Sequence, residues 1–379
     1  MIYKATDTYR ENSAVDIVIP ADFKENTLVR IRDFNNHNHN DIISEVYGSL
    51  PDSGFAAGRS ASSLPQVTRE QFESYVHAAR DYGVIFNYTL NGSCLGAKEY
   101  DPSWREEFYS FINYLSVLGI SAFTVSTPSI VAILRHQQPF ATITVSVTAD
   151  VTTRGTAIDY ASLGANKVMA SISLYRRFKQ LKHLAITPGI EVGILLNSFC
   201  FPDCTYRSEH FNTSSHLANN EPSLYGRVGS FDFNRCDLKR LSDPKQFLGA
   251  AWVRPEDVVY YENIGVSFFK LEGRQLQEFD AVRVAMIYCQ RHYDGNLCNL
   301  HTLFSNAKLP FLLHIDNQKL NNFIDKFLSS YPCSDGCNGC GHCDAYIHNA
   351  IRVLDQNALN KSIRCIRDEL ANFIKLKEI

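Results

Sequence analysis

The sequence predicts an α/β protein built on a (β/α)8 barrel, and two observations lead to this prediction. Helical segments alternate with apolar runs rich in Val, Ile, Phe and Thr, which is typical of parallel strands that are buried on both faces. Several helices also end in a glycine just before the next run, at Gly83, Gly119, Gly164 and Gly265. Glycine suits that position because a helix C-terminus often needs a left-handed residue. This alternation favours a barrel.

Eight apolar runs can be counted as barrel strands. They are Asp16–Pro20, Ile43–Leu50, Val84–Leu90, Ala122–Thr127, Thr142–Ala149, Lys167–Leu174, Glu191–Asn197 and Ser267–Leu271. Helical periodicity lies between most of them, as in Arg69–Tyr82 and Pro102–Leu118. A doubly wound open sheet is the alternative, and it is weakened because no GxGxxG pattern follows any of the runs.

Two domains are expected. Residues 1–300 should form the barrel, with Leu276–Tyr293 as its last helix, and residues 301–379 a Cys-rich appendage that ends in a helix over Tyr346–Lys377. The connection between the seventh and eighth strands is much longer than a usual βα loop and is rich in Asn, Ser, Asp and Cys. Long loops inside compact domains are often functional.

Composition excludes several classes of protein. The 379 residues carry 37 Lys and Arg against 40 Asp and Glu, so no basic footprint for nucleic acid is present. No apolar stretch is long enough for a membrane span, and the opening MIYKATDTYRENSAVD lacks the apolar core of a signal peptide. A cytoplasmic location is therefore expected. Eleven cysteines, an odd number, argue against a disulfide scaffold and for thiol ligands.

Four cysteines are predicted to meet at the mouth of the barrel, where the strands end. Cys94 follows the third strand, Cys200 and Cys204 follow the seventh, and Cys236 lies in the long connection. Four thiolates suit a 4Fe–4S cluster or a tetrahedral zinc site. The cluster is favoured because a structural zinc usually uses two CxxC-type knuckles, which these positions lack.

A second group of cysteines lies near the C-terminus, at Cys333, Cys337, Cys340 and Cys343. This spacing is too dense for ordinary packing and resembles a bacterial ferredoxin motif read backwards. A second 4Fe–4S cluster is expected there, with zinc as the alternative. His342 is interpreted as an exposed loop residue.

Two stretches of the sequence resemble a known family. They are Ile190–Cys200, IEVGILLNSFC, and Leu248–Arg274, in which RPED, IGV and FKLEGR occur in turn. This combination resembles the collagenase-like peptidase family of unassigned catalytic type. Its members include oxygen-independent hydroxylation proteins of the ubiquinone pathway and RNA hydroxylation proteins. The resemblance implies a barrel with a 4Fe–4S cluster on four cysteines and, in those members, prephenate as the oxygen source.

Charged residues on the eighth strand are candidate catalytic groups. Lys270, Glu272 and Arg274 alternate, so all three lie on one face of the strand. They could form an ion-pair network that closes the barrel. Alternatively, Lys270 and Arg274 could bind an anion such as prephenate while Glu272 carries a proton.

Polar residues near other strands are candidates for substrate binding. Arg207 would also offset the charge of a nearby cluster, and its neighbour His210 is interpreted as a solvated loop residue. Asn87 and Asn197 are expected to mark strand ends at the same rim. The full set of candidates is Glu45, Tyr47, Arg59, Asn87, Asn197 and Arg207.

Three functions stay open at this point. The first is an iron–sulfur enzyme that hydroxylates a small molecule or a modified macromolecule without oxygen. The second is a peptidase or peptide-modifying enzyme, although no nucleophile elbow, HExxH or P-loop occurs in the sequence. The third is a non-catalytic subunit, since family members can work in pairs, and a protein partner or a homodimer is therefore expected as a possibility.

Overall fold

The computed structural model describes residues 16–38, 42–51, 53–55, 57–59, 64–218, 231–273, 280–301, 312–333 and 340–374. Eight strands form a closed barrel in which each strand is parallel to its neighbours and β1 pairs with β8. They are β1 Asp16–Pro20, β2 Ile42–Gly48, β3 Ile85–Leu90, β4 Ala122–Val125, β5 Thr142–Val145, β6 Lys167–Met169, β7 Glu191–Leu195 and β8 Phe268–Lys270. The predicted (β/α)8 barrel is confirmed.

Helices surround the barrel and continue into the C-terminal part. Around the barrel lie α1 Glu25–His37, α2 Arg69–Asp81, α3 Pro102–Val117, α4 Pro128–Gln137, α5 Arg154–Ser162 and α6 Phe178–Ala185. Between β7 and β8 lie α7 Arg207–Ala218, α8 Phe231–Ser242, α9 Lys245–Leu248 and α10 Val258–Asn263. After β8 come α11 Ala281–Gln290, α12 Asp325–Ser329, α13 His342–Ala350 and α14 Gln356–Ile374. No helix of the described residues is both long and apolar enough to cross a membrane.

The glycines that end the helices adopt the expected left-handed backbone. Gly83, Gly119, Gly164 and Gly265 have φ angles of 74°, 89°, 105° and 102°. A side chain is strained in this region, so these positions define where each helix stops and the chain turns into the next strand.

Six barrel strands end earlier than predicted, and the difference is largest for β5 and β6. β5 stops at Val145 and β6 at Met169, and each is followed by a 3₁₀ turn, Val147–Ala149 and Ile172–Leu174. The hydroxyls of Ser146 and Ser171 accept hydrogen bonds from the backbone at the start of these turns. Such caps compete with strand pairing, which apolar content alone does not reveal.

The C-terminal part differs from the single long helix that was predicted. α13 ends at Ala350, and Ile351–Val353 forms strand β10, which pairs antiparallel with β9, Leu313–Ile315. The chain then re-enters a helix at Gln356. The apolar residues Ile351 and Val353 fit both a strand and a helix, so the break depends on the distant partner strand.

Candidate functional site

The mouth of the barrel is built mainly from the segment after β7. Residues 196–204 leave the barrel after β7. α7 bonds to the loops after β3 and β5, through Ser215 and Arg207, and Arg240 of α8 bonds to the Phe199 carbonyl. The backbone of this segment is anchored by hydrogen bonds from Val253 to the Leu196 carbonyl and from Ala251 to the Cys200 carbonyl. The long connection predicted to be functional therefore lies at this mouth.

Three of the four cysteines predicted at the mouth interact with one another. The thiols of Cys204 and Cys236 interact directly, and this interaction lowers the pKa of Cys204. The same interaction, together with burial, raises the pKa of Cys236, and the charges of Cys200 and Cys204 act in the same direction. Thiols from two separate segments of the chain thus lie within electrostatic contact.

Burial is the main influence on Cys200. It raises the pKa of this thiol, as does the charge of Glu272, while Arg240 and the Ser198 hydroxyl lower it. A buried thiol with a raised pKa is a poor free nucleophile, because the thiolate is the reactive form. Cys200 is therefore not an activated nucleophile, and its predicted role as a metal ligand is untested.

The fourth predicted ligand, Cys94, is half-buried. Its loop reaches the mouth because Ser93 bonds to α7, the backbone N–H to the Ser215 hydroxyl at 2.7 Å and its own hydroxyl to Asn212 at 2.8 Å. The described residues contain no group of three or more His, Cys, Asp or Glu side chains already arranged around a metal position. Thiols are donors that a thiolate-bound metal or cluster accepts, and ligation stays a prediction.

Arg207 holds the loop between Cys200 and Cys204 in place. Its guanidinium donates to the carbonyls of Phe201 and Pro202, at 2.8 and 2.5 Å, and reaches the Asp150 carboxylate at 3.3 Å. Its side chain is only 10% exposed. These contacts make Arg207 a positioning residue of the mouth, and its predicted role in substrate binding is untested.

A second buried arginine, which the sequence did not single out, supports the same loop from α8. Arg240 donates to the Phe199 carbonyl at 2.5 Å and pairs with Asp237 at 3.1 Å. Its charge lowers the pKa of both Cys200 and Cys236. A fixed cation beside thiolates offsets their charge. One arginine among many in a sequence gives no signal of this role.

Glu272 lies at the mouth beside two arginines. Burial raises its pKa, whereas Arg59, the Ser198 hydroxyl and Arg240 lower it. Arg59 also contributes to lowering the pKa of His210, which burial brings to about 4. His210 lies in the first turn of α7 and packs edge-on against Phe233 at 4.7 Å. Its interpretation as a solvated loop residue was therefore wrong. Arg274 lies outside the described residues.

Lys270 and Tyr47 form a pair just below the mouth. The Lys270 ammonium lies 3.7 Å from the centre of the Tyr47 ring, and the Tyr47 hydroxyl donates to the Leu271 carbonyl at 2.9 Å. Both side chains are buried. A buried cation over an aromatic face is a stabilising contact.

Glu45 and Asn87 lie deeper, in the amino-terminal half of the barrel. Asn87 pairs with Ala122, the first residue of β4, and donates to Glu45 at 2.9 Å. Lys167, the first residue of β6, lies 3.4 Å from Glu45. The rim position expected for Asn87 is therefore not observed. These polar groups satisfy each other inside the barrel, and their predicted part in substrate binding is untested.

Asn197 is fully buried and links two separate segments of the chain at the mouth. Its amide nitrogen donates to the Glu272 carbonyl at 2.9 Å and to the Leu300 carbonyl at 3.1 Å, and its oxygen accepts from the Glu272 N–H at 2.8 Å. The residue after Leu300 is His301, which is 3% exposed. His301 stacks on Phe199 at 4.1 Å. Nothing in the surrounding sequence marked His301 as part of this site.

The segment that leads to the first C-terminal cysteine contacts the same mouth. Tyr331, two residues before Cys333, donates to Asp203 at 2.7 Å, and Asp203 lies between Cys200 and Cys204 in the chain. Cys333 and Cys343 pack against the hydrophobic core, Cys340 is half-buried, and Cys337 lies outside the described residues. His342 begins α13 and contacts the Phe323 carbonyl at 2.9 Å. It is therefore not the exposed loop residue that was expected.

A family model described as peptidase family U32 matches residues 38–200. The chain contains a U32 domain. This confirms the resemblance to the collagenase-like peptidase family. The matched U32 domain runs from just before β2 to Cys200 and includes Cys94, whereas Cys204, Cys236 and Glu272 lie beyond it.

Two known proteins are similar to most of the chain that carries this U32 domain. The uncharacterized protease MJ1657 of Methanocaldococcus jannaschii is 26% identical over 310 residues, which are 82% of this chain and 89% of that protein. The solved structure of the U32 peptidase Mk0906 has a TM-score of 0.50 and 18% identity, and the match covers 71% of this chain and 97% of that one. The second likeness supports the barrel fold alone.

Proposed function

We propose that this chain is an iron–sulfur enzyme whose centre lies at the mouth of the barrel. Cys200, Cys204 and Cys236 would hold the cluster, with Cys94 as the fourth ligand. The observation that carries this proposal is the mutual contact of thiols that come from separate segments, with the pKa of Cys204 lowered by Cys236. Thiolates are the ligands that iron–sulfur clusters use.

The cluster, when bound, would supply electron transfer or activation of a substrate at its exposed edge. The chain's own residues would tune it. Arg207 and Arg240 place positive charge beside the thiols, since both lower the pKa of Cys200. The Ser198 hydroxyl lies near the same sulfur. Cations and hydrogen bonds near cluster sulfurs raise the reduction potential.

The reaction we propose is oxygen-independent hydroxylation of a small molecule or a modified macromolecule, with prephenate as the oxygen donor. Its support is the sequence resemblance to members with that activity, and the cations at the mouth would suit a dicarboxylate. Arg59 is one such cation, with Lys270 just below the mouth. Glu272, whose pKa burial raises, would hold or release a proton at its carboxyl group. The C-terminal cysteines would hold a second cluster or zinc.

A peptidase is the second candidate, because the matching family model and the relative from Methanocaldococcus jannaschii both carry a peptidase or protease name. The geometry gives this candidate less support. Burial raises the pKa of the Cys200 thiol, which is the opposite of what an activated nucleophile needs. A non-catalytic subunit in a pair of such proteins is the third.

Anaerobic purification followed by iron, sulfide and zinc analysis tests the proposal. We expect brown protein with about four irons and four sulfides per centre and a broad absorption at about 400 nm. Cys200→Ser should remove the barrel cluster, Cys340→Ser should affect only the C-terminal site, and Cys365→Ser, an exposed cysteine on α14, should change neither. Colourless protein that contains zinc and cleaves a peptide would instead establish the peptidase.

A further inference from the structure

The end of the barrel at which the strands begin lies opposite the mouth and carries large apolar side chains that are exposed. Ile42 and Ile85 are the first residues of β2 and β3 and are 37% and 48% exposed. Val117, which ends α3, and Phe140, just before β5, are 86% and 99% exposed. The strands β2 to β5 are neighbours in the barrel. Apolar side chains that cluster in this way mark an interaction site, whereas scattered ones are normal.

A groove with a volume of about 300 Å³ opens at the same end, between the turn from α2 to β3 and the turn from α3 to β4. The Arg80 side chain, which is 63% exposed, lies at its edge, and one guanidinium nitrogen is 3.6 Å from the position of a Cβ on Gly119. An apolar lining with a cation at its edge suits an aromatic side chain, because the face of an aromatic ring attracts a guanidinium. The apolar lining consists of Val76, Val84, Ile85, Phe86, Leu118 and Ile120.

Ile85 also marks the opening of the barrel at this end. Side chains alternate along a strand, and Asn87, two residues further on, donates to Glu45 inside the barrel. Ile85 is therefore on the inward face of β3, at its exposed end. Close by, the Lys167 ammonium lies 3.4 Å from Glu45 and 3.7 Å from Glu191, whose side chain is 55% exposed. A further layer of chain across this end would shield these ion pairs from water.

The first strand shows which part of the chain approaches this end. β1 begins at Asp16, which pairs with Ile42, so the chain that precedes Asp16 reaches the barrel beside an exposed apolar residue. Residues 1–15, MIYKATDTYRENSAV, lie outside the described residues, and Tyr9 is their aromatic residue nearest to Asp16. Parallel strands are about 4.8 Å apart, so β3 is about 10 Å from β1. The seven residues from Tyr9 to Asp16 span up to about 23 Å when extended, which is enough to reach the groove.

We propose that residues 1–15 dock across the end of the barrel at which the strands begin, with the ring of Tyr9 in the groove and the Arg80 guanidinium over its face. The segment would then cover Ile42 and Ile85 and close the barrel opposite the mouth. This inference goes beyond the proposed iron–sulfur function and does not depend on it, because the two ends of the barrel are separate.

Photo-cross-linking of the full chain tests the docking directly. In Tyr9→p-benzoylphenylalanine, irradiation should join residue 9 to residues 76–86 or 117–121 of the same molecule, as read by mass spectrometry of the digest. Tyr100→p-benzoylphenylalanine is the matched control, because Tyr100 is 71% exposed in the loop after β3, towards the mouth, and should give no such product. Cross-links from residue 9 to a second molecule would assign the groove to another copy of the chain and overturn the proposal, as would cross-links to the mouth.

Thermal unfolding gives an independent measurement. Tyr9→Ser should lower the melting temperature by about 2 °C, because the segment loses its buried ring, whereas Tyr9→Phe and Tyr100→Ser should leave it unchanged. The effects of Tyr9→Ser and Arg80→Ala should not add in the double variant, because each removes the same contact. Additive effects, or no effect of Tyr9→Ser, would contradict the docking. The same cross-links are expected in samples with and without iron, so a failure of the iron–sulfur proposal is distinguishable from a failure of this one.

Discussion

Single buried charges in this protein cost stability where they are incompletely paired. Asp257 is 3% exposed, and its Oδ2 makes no hydrogen bond with any of the described residues. Burial raises its pKa to about 6, against the opposing effect of Arg254 and Arg176. The folded state therefore holds a proton on Asp257 between about pH 4 and 6, where the unfolded chain has released it. The free energy of unfolding consequently falls as pH rises through this range.

Asp257→Asn should remove this loss, because the amide has a similar shape and no charge. We expect the variant to be more stable than the wild type by about 1–2 kcal/mol above pH 7 and nearly equal to it at pH 4. Arg254 keeps its bonds to Asn317, Leu320 and Asn321 in the variant. Urea denaturation at both pH values measures the difference. If the variant is less stable than the wild type at pH 7 and equal to it at pH 4, Asp257 is needed as an anion for Arg254.

At the scale of the elements, close approach inside the barrel restricts what a strand can carry. Gly193 in β7 faces Phe268 in β8, and a Cβ at Gly193 would lie 2.5 Å from that ring. Phe268 is 2% exposed and cannot move away freely. The glycine is therefore required for space, because its backbone is ordinary extended strand.

Gly193→Ala should destabilise the protein by about 1–3 kcal/mol, since an extra methyl group in a packed core forces its neighbours to shift. Gly155→Ala is the matched control. It lies in α5, and the nearest atom to its added Cβ is 3.9 Å away. There we expect a gain of about 0.5–1 kcal/mol, because alanine favours helix over glycine. The melting temperatures of the two variants and the wild type measure these effects. Equal changes for the two substitutions would contradict the packing argument.

The helices and strands of this fold can be predicted from the sequence more completely than the contacts of its candidate site. Local patterns predict the barrel strands and the left-handed glycines Gly83, Gly119, Gly164 and Gly265. A strand buried on both faces has a short run of apolar residues, and a helix end often has a glycine, so each can be recognised within a few residues. The break between α13 and α14 does not, since it depends on β9, which is far along the chain.

The candidate site shows the same division. Cys200 and Cys204 stand out by spacing, and Cys236 by its place in the long connection. His301 leaves no pattern in the sequence, because its place at the mouth depends on burial and on its stack with Phe199. Asn87 was expected at the rim, but strand register places it opposite the first residue of β4. A strand's period of two indicates the face of a residue and not its depth in the barrel.

At the scale of the whole molecule, two buried arginines attach the C-terminal part to the barrel. Arg176 lies over the rings of Trp252, Phe323 and Phe327, at 4.6, 5.5 and 5.2 Å. Arg254 is 1% exposed and donates to residues 317–321 at 2.7 to 3.0 Å. This attachment holds residues 312–333 on the barrel, and the same segment delivers Tyr331 to Asp203 beside the thiols.

Arg254→Met should separate the unfolding of the two parts. The substitution removes the hydrogen bonds to residues 317–321 and the cation that lies 3.4 and 3.7 Å from the carboxylates of Glu256 and Asp257 in the wild type. Breaking a buried pair in this way costs about 3–5 kcal/mol. Differential scanning calorimetry should then show an early transition for the C-terminal part ahead of the barrel. Arg30→Met is the matched control, because the pair of Arg30 with Asp280 is exposed by 39% and 53% and contributes little. If Arg254→Met melts in one transition at the wild-type temperature, the buried arginine does not couple the two parts.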